Sequence, residues 1–309
     1  MTTAIPILNI EALSSPDAAT RRQTAAEIGR ACRDTGFFVI RGHGLPDRLI
    51  DRTFAASREL FALPDELKQS LAVDGLGHDR GYVGPDLGLH AGQPGADVKE
   101  AFSLIWTDER TRPANVWPPI AGWREAVQSY FDALLGLGRL LHRGFALDLG
   151  LREHFFDDKL DRPLATLRMF RYPAAWGARA TTASANPTAD IHTDPGNLTL
   201  VAAGDVGRLQ VQARDGRWIA IPAFKGAFVC NVGDCLMRWT HDVYVSTPHR
   251  VLSPQRERYS IVLFFDANPD AIVGALPGSA APDARHAPIS VADYLKQRAD
   301  ASPLRHTAA

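Results

Sequence analysis

Apolar positions recur at helical spacing over the first half of the chain and in short alternating runs over the second. Residues 5–10 alternate around Pro6 and predict a short edge strand. From Asp17 to Cys32 the small and apolar residues Ala18, Ala25, Ile28, Gly29 and Cys32 share one helical face, and Asp17 suits the N-cap. Residues 35–44 read as turn, strong apolar strand (Phe37, Phe38, Val39, Ile40) and turn. Pro46 then opens a helix that runs to about Phe61, and Pro64 starts another short one. Residues 74–98 are rich in Gly and Pro. So long an irregular stretch inside a folded chain is usually functional or mobile, and cover over an active site is one role open to it. A strand is predicted over 99–106. A long amphipathic helix is predicted over 122–149, with Trp123, Val127, Tyr130, Phe131, Leu134, Leu135, Leu140 and Leu141 as its apolar stripe, and with Gly136 and Gly138 as points of bending or close packing.

From Ala165 the texture changes. Runs at 165–172, 198–202, 207–212, 218–221, 227–231, 235–239, 249–252 and 259–265 are apolar or alternating, and turn signals such as Asp215-Gly216, Gly226 and Gly233-Asp234 separate them. About eight short strands in about one hundred residues predict a sandwich or barrel of the jelly-roll kind. The fold class is therefore mainly β with flanking helices: a double-stranded β-helix core with a helical N-terminal region. The expected organisation is a helical and mixed region over 1–120, a long support helix over 121–160, the jelly-roll core over 161–275, and a C-terminal loop, helix and tail over 276–309, all in one unit. Residues 277–288 are loop-like, Ser290 caps a last helix over 291–299, and the tail after Ser302 is expected to be disordered.

Composition narrows the function classes. Of 309 residues, 45% are hydrophobic and 22% charged, as in ordinary soluble domains. With 34 basic and 35 acidic residues the net charge is −1, which gives no electrostatic pull towards nucleic acid or an anionic membrane. No apolar run reaches the length of a membrane span, and the N-terminus lacks the basic and apolar regions of a signal peptide. The three cysteines, Cys32, Cys230 and Cys235, form no disulfide framework and suit a reducing compartment, so a cytoplasmic protein is expected. Cys230 and Cys235 have no second Cys/His pair to complete a zinc-type site and read as small buried hydrophobes.

The chemistry concentrates in three places. His192 and Asp194 are two apart, so on an extended segment both side chains point the same way. His249 lies far enough on for about four strands to intervene, and a sheet that folds back would bring it to the first pair. Two imidazoles and one carboxylate are the set that holds a non-haem Fe(II) on one triangular face, with the remaining positions open. Beyond His249, Arg258 and Ser260 alternate with Tyr259, so they face together and offer a guanidinium fork and a hydroxyl to a carboxylate. His241, the nearest rival to His249, lacks its Pro-His-Arg setting.

These segments resemble the isopenicillin N synthase-like family of Fe(II)/2-oxoglutarate-dependent oxygenases. His192-Thr-Asp-Pro-Gly-Asn-Leu-Thr-Leu200, Ser246-Thr-Pro-His-Arg-Val251 and Arg258-Tyr-Ser-Ile-Val-Leu-Phe-Phe265 are similar to that family's two histidine motifs and its Arg-x-Ser strand. The 36–46 segment, Gly81-Tyr82 and Lys99-Glu100-Ala101-Phe102 are similar to its N-terminal features, and the likeness spans roughly residues 4–270. The resemblance implies iron ligation by His192, Asp194 and His249. It also implies binding of 2-oxoglutarate by Arg258 and Ser260 with help from Tyr172, and use of O2 to oxidise a C–H bond of a small-molecule substrate, forming succinate and CO2. One departure is Phe170, where plant members often carry Asn. Tyr82, Phe102, Arg171, Trp239 and Phe265 are candidate substrate contacts, although neighbours on a strand alternate, which points Arg171 away if Tyr172 faces the site. Two other functions fit the same residues: an Fe(II) oxidase of this family that does not use 2-oxoglutarate, and a non-enzymatic jelly-roll binding protein with a structural metal.

Overall fold

The computed structural model describes residues 4–73, 80–84, 99–108, 114–173, 187–203, 208–222, 224–252, 256–277 and 286–301. The irregular stretch over 74–98, and with it the covering role, falls mostly outside them, as do 278–285 and the tail from 302.

The first element is β1 (Ile7–Asn9), which pairs in parallel with β2 (Phe37–Arg41). Between them runs α1 (Ala18–Asp34). The Asp17 side chain accepts from the N–H groups of Ala19 and Thr20, satisfying two of the donors that a helix start leaves open. Next come α2 (Asp47–Phe61), α3 (Asp65–Gln69), β3 (Gly81–Val83), β4 (Glu100–Ile105) and the long α4 (Trp123–Asp148). The second half supplies β5 (Ala165–Tyr172), β6 (Pro187–His192), β7 (Leu198–Ala203), β8 (Leu209–Gln212), β9 (Trp218–Ile221), β10 (Phe228–Val232), α5 (Asp234–Trp239), β11 (His249–Leu252) and β12 (Arg258–Phe265). A two-residue pair, β13 (Ile272–Val273) with β14 (Ile289–Ser290), leads into α6 (Val291–Asp300), capped by Ser290, whose hydroxyl accepts from Asp293 N–H.

Among the described residues the strands form a large sheet in the order β1-β2-β10-β7-β12-β5-β4-β3 and a small one in the order β6-β11-β8-β9. Phe37, Val39 and Val229 from the large sheet pack with Val211 and Ile221 from the small one, so the two sheets close face to face as a jelly roll. The large sheet buries both faces. Its outer side packs on the helices in the main core, where Phe102 stands edge-on to Trp123 and Phe265 lies against Gly138 of α4. A Cβ at Gly138 would lie 2.8 Å from the Phe265 ring, so this glycine permits the helix to approach the sheet.

Alternation along β5 and β12 sets the functional map. Leu167 and Met169, like Ile261, Leu263 and Phe265, face the helices. Phe170, Tyr172 and Val262 form a cluster on the other face, inside the roll.

Two expectations differ from the structure. The 235–239 run is not a strand but the short helix α5: Gly233 is extended and the following N–H groups donate to carbonyls of the 194–196 turn, which starts a helical turn. A five-residue apolar run carries no decisive period, and its Cys235, Leu236 and Trp239 suit a buried helical face as well as a strand. The strand β6, which carries His192, had no predicted counterpart beyond the histidine itself, because its sequence Pro-Thr-Ala-Asp-Ile-His lacks a strong strand signal.

His142 on α4 is fully buried among Phe145, Phe156 and Phe265. Its Nδ1 bonds to the Gly138 carbonyl at 2.8 Å, and its Nε2 has no hydrogen-bond partner among the described residues. Burial pushes its pKa down to about 4 from 6.5. The unfolded chain therefore takes up this proton first, and stability falls as pH drops from about 6.5 to about 4. The total is about 3 kcal/mol at 1.36 kcal/mol per pKa unit. Urea unfolding across this range should show a shallower pH slope in His142→Leu; an unchanged slope would assign the effect to other groups.

Candidate active site

His192 ends β6 and His249 begins β11, and the two are directly paired across the small sheet, with ring centroids 4.4 Å apart. Asp194 lies in the turn between β6 and β7. Its Oδ1 sits 3.8 Å from His192 Nε2 and 3.7 Å from His249 Nε2. Metal–nitrogen and metal–oxygen bonds of about 2.0–2.2 Å each span about 4 Å, so one ion can lie between each imidazole and this oxygen. Among the described residues the cluster has these three members, whose ligand atoms lie within 4.8 Å of one another. The donor set of two nitrogens and one carboxylate oxygen fits Fe(II), and three ligands leave coordination positions for a co-substrate.

The groups around the cluster orient it. The other oxygen of Asp194, Oδ2, accepts from Thr199 Oγ1 at 2.5 Å and from Asn231 Nδ2 at 2.7 Å, so Oδ1 is turned towards the imidazoles. His249 Nδ1 lies 3.2 Å from the Thr247 carbonyl; donating there leaves the Nε2 lone pair for a metal. Burial holds the His249 pKa below its ordinary value, outweighing the nearby Asp194 charge and favouring the neutral ring, the form able to ligate a metal. Phe37 packs edge-on against the same ring at 5.3 Å. His192 is half-exposed and opens onto a cavity.

Thr199 and Asn231 are partners that sequence reasoning missed; both alternate onto the inner face beside the triad. Replacing Asn231 with Ala should weaken metal binding about 10- to 100-fold, the usual cost of losing a group that orients a ligand. Anaerobic Co(II) titration measures this, and an unchanged affinity would show that Thr199 alone sets the Asp194 rotamer.

Arg258 and Ser260 are buried and alternate onto the inner face of β12. Arg258 is paired in register with Tyr172 of β5, and its guanidinium stands 5.0 Å from the Tyr172 ring centroid. Tyr172 in turn packs with Phe170.

The five candidate substrate contacts lie elsewhere. Phe102, Trp239 and Phe265 are in the main core; Trp239 sits in α5 edge-on to Phe156. Tyr82 donates to Glu100 Oε1 at 2.6 Å, and Lys68 donates to the same oxygen at 2.6 Å. Arg171 donates to Glu100 Oε2 and to Glu257, both at 2.8 Å. Burial raises the Glu100 pKa, but hydrogen bonds from Lys68 and Tyr82 outweigh it and hold the carboxyl below its ordinary value. This buried network ties β3, β4 and β5 to α3, and none of the five residues lines the cavity at the triad. Alternation with Tyr172 points Arg171 away from the site, as observed, whereas the chain positions of the other four did not reveal which face they take.

That cavity, about 950 Å³, runs from His192 and Asp194 past Thr166, Arg168 and Phe264 on the inner face to Trp106 and the α6 residues Leu295 and Lys296. Asp266 also borders it. Burial, helped by the Asp194 charge and opposed by the Asn197 N–H, pushes its carboxyl up to about 7.

Two family models match the sequence: "non-haem dioxygenase in morphine synthesis N-terminal" over residues 5–120 and "2OG-Fe(II) oxygenase superfamily" over residues 167–267. The 2-oxoglutarate-Fe(II) type oxidoreductase hxnY of Emericella nidulans is 33% identical over 313 aligned positions, covering 95% of this chain and 89% of its own. The chain belongs to the 2OG-Fe(II) oxygenase superfamily. This oxygenase is also similar to the homoarginine-6-hydroxylase of Arabidopsis thaliana, at 31% identity over 88% of this chain and 87% of that protein. Among solved structures, a full-length Neurospora crassa protein in complex with alpha-KG and thymine superposes with a TM-score of 0.86 at 27% identity, covering 96% of each chain. JOX2 in complex with 2OG, Fe and JA gives 0.77 at 26% identity, covering 96% of this chain and 85% of that one. The oxygenase is accordingly a 2-oxoglutarate-dependent non-haem iron dioxygenase with a jelly-roll core. Its cofactor is Fe(II) and its co-substrate is 2-oxoglutarate.

Proposed function

We propose that His192, Asp194 and His249 hold the Fe(II), that Arg258 and Ser260, helped by Tyr172, bind the distal carboxylate of 2-oxoglutarate, and that a small organic substrate enters the cavity bordered by His192. The observation that carries this reading is the shared inner face. The triad partners Thr199 and Asn231, the Arg258 fork and the Arg168–Phe264 wall all alternate onto one side of one sheet.

When bound, iron and 2-oxoglutarate would together supply reduction of O2 by the keto acid, which leaves as succinate and CO2 with one oxygen atom in the succinate, and by the substrate C–H bond, which is oxidised with the other. The chain's own residues supply position. Asp194 presents one oxygen because Thr199 and Asn231 occupy the other. Burial favours the neutral form of His249. The Arg258 guanidinium meets a carboxylate with two parallel N–H donors, and the Ser260 hydroxyl adds a third, which sets the co-substrate's register as well as its affinity. The buried surroundings of Arg258 strengthen that pairing and exclude water. The cavity volume suits a small molecule and lies within the usual range for such sites. The unpaired, buried cysteines and the net charge of −1 support a cytoplasmic enzyme acting on a soluble metabolite, with no nucleic-acid partner.

Anaerobic reconstitution tests the assignment. Fe(II) plus 2-oxoglutarate should produce a visible charge-transfer band, lost in Arg258→Ala at 2-oxoglutarate levels that saturate the wild type. Admission of O2 with a substrate should then give succinate in step with product. Substrate oxidation without succinate would favour the oxidase alternative. Metal binding without a band and without any turnover would favour a binding protein.

A further inference from the structure

Asp234, the first residue of α5, is buried beside the metal site without being a member of the triad. Its N–H donates to the Asp194 carbonyl at 2.7 Å. Cys235 N–H donates to the carbonyls of Pro195 and Gly196, and Gly233 N–H donates to that of Asn197. The start of α5 therefore holds the backbone of the turn that follows Asp194. The Asp234 carboxylate reaches two other elements: Oδ2 accepts from Thr193 Oγ1 at 3.0 Å and from Arg298 Nη2. Thr193 stands between His192 and Asp194. Arg298 stands on α6, the helix that contributes Leu295, Lys296, Ala299 and Asp300 to the cavity wall. The far end of α5 holds the same helix: Arg238 lies 5.6 Å from the Tyr294 ring centroid and donates to the Ala287 carbonyl at 2.7 Å, just before α6.

We propose that Asp234 and Arg298 are positioning residues that join the C-terminal helix to the two-ligand segment His192-Thr193-Asp194. The Arg298 guanidinium compensates the buried Asp234 charge, and the carboxylate so held fixes the Thr193 hydroxyl. Docking of α6 thereby completes the cavity wall and restrains the spacing of His192 and Asp194 in one step. This proposal rests on the reading of those two residues as ligands. Without Arg298, Asp234 keeps a buried charge near the triad and must draw in water or turn away, and either movement releases Thr193.

The test uses the full chain and Co(II) as probe, without 2-oxoglutarate, reading affinity from visible absorption and the order of α6 from hydrogen–deuterium exchange of residues 291–300. Arg298→Ala should weaken Co(II) binding about 10- to 100-fold, the range for groups that orient ligands, and speed exchange in α6. Arg298→Lys should restore most of both. Thr193→Val cuts the link from the other end and should weaken Co(II) binding in the same range. Co(II) affinity within twofold of wild type in both Arg298→Ala and Thr193→Val overturns the proposal, whether α6 loosens or not. A wild-type protein that takes up no Co(II) refutes the ligand reading itself, and this proposal with it, before any substitution is made.

Discussion

Asp194→Ala is expected to lower succinate-forming turnover by at least about 10³-fold, since removing a ligand costs more than the 10- to 100-fold of removing the groups behind it. On the proposed assignment the substitution takes away the one anionic donor and leaves two imidazoles to hold the Fe(II). It also strands the Thr199 hydroxyl and the Asn231 amide, which both donate to Asp194 Oδ2. An unsatisfied buried polar group costs about 1–3 kcal/mol, so the melting temperature should fall by several degrees without loss of the fold. Circular dichroism and thermal unfolding separate the two effects. Turnover within tenfold of wild type in a folded Asp194→Ala would remove the metal assignment.

Arg258→Ala is expected to act on a different quantity. Truncating one partner of a buried charge pair costs about 2–5 kcal/mol, and about 1.4 kcal/mol corresponds to a factor of ten. The KM for 2-oxoglutarate should therefore rise from about 30-fold to a few thousand-fold, while Co(II) affinity in the absence of the keto acid stays near that of the wild type. Arg258→Lys should recover little, because a point charge does not reproduce the planar fork. An unchanged KM would show that the co-substrate carboxylate is held by another residue and would give Arg258 a packing role that includes its contact with Tyr172. If metal affinity falls in parallel, the effect is distortion of the roll and not loss of a binding group.

Much of the scaffold was legible in the sequence because its signals are local. The Asp17 and Ser290 caps, the α4 stripe and the alternation through β5 and β12 each follow from the period of the element they belong to. The meeting of His192 and Asp194 was legible for the same reason, since two residues apart on an extended segment face one way. Bringing His249 to them required the fold, because its pairing with His192 joins strands far apart in the chain. The cavity wall was not read. Arg168 and Phe264 share the parity of Tyr172 and Ser260, so the period-two rule could have selected them. The candidates Phe102 and Phe265 lie on the opposite face, as does Arg171, which the same rule already pointed away from the site. Tyr82 and Glu100 illustrate a second limit: that a motif residue serves a buried ionic network becomes visible only when Lys68 and Arg171 arrive from other elements. The helix α5 was misread because five residues are too few to distinguish periods.

The two-sided use of β5 and β12 has a consequence for how such an enzyme diversifies. One row of side chains is locked into the packing against α4, whereas the interleaved row borders the interior of the roll. Substitutions at positions such as 168 and 264 can therefore drift, or be randomised in the laboratory, to admit new substrates while the rows anchored on Gly138 and Trp123 keep the protein folded. Along that interior row the freedom ends where Tyr172, Arg258 and Ser260 begin, so one segment carries packing, co-substrate binding and variable lining side by side.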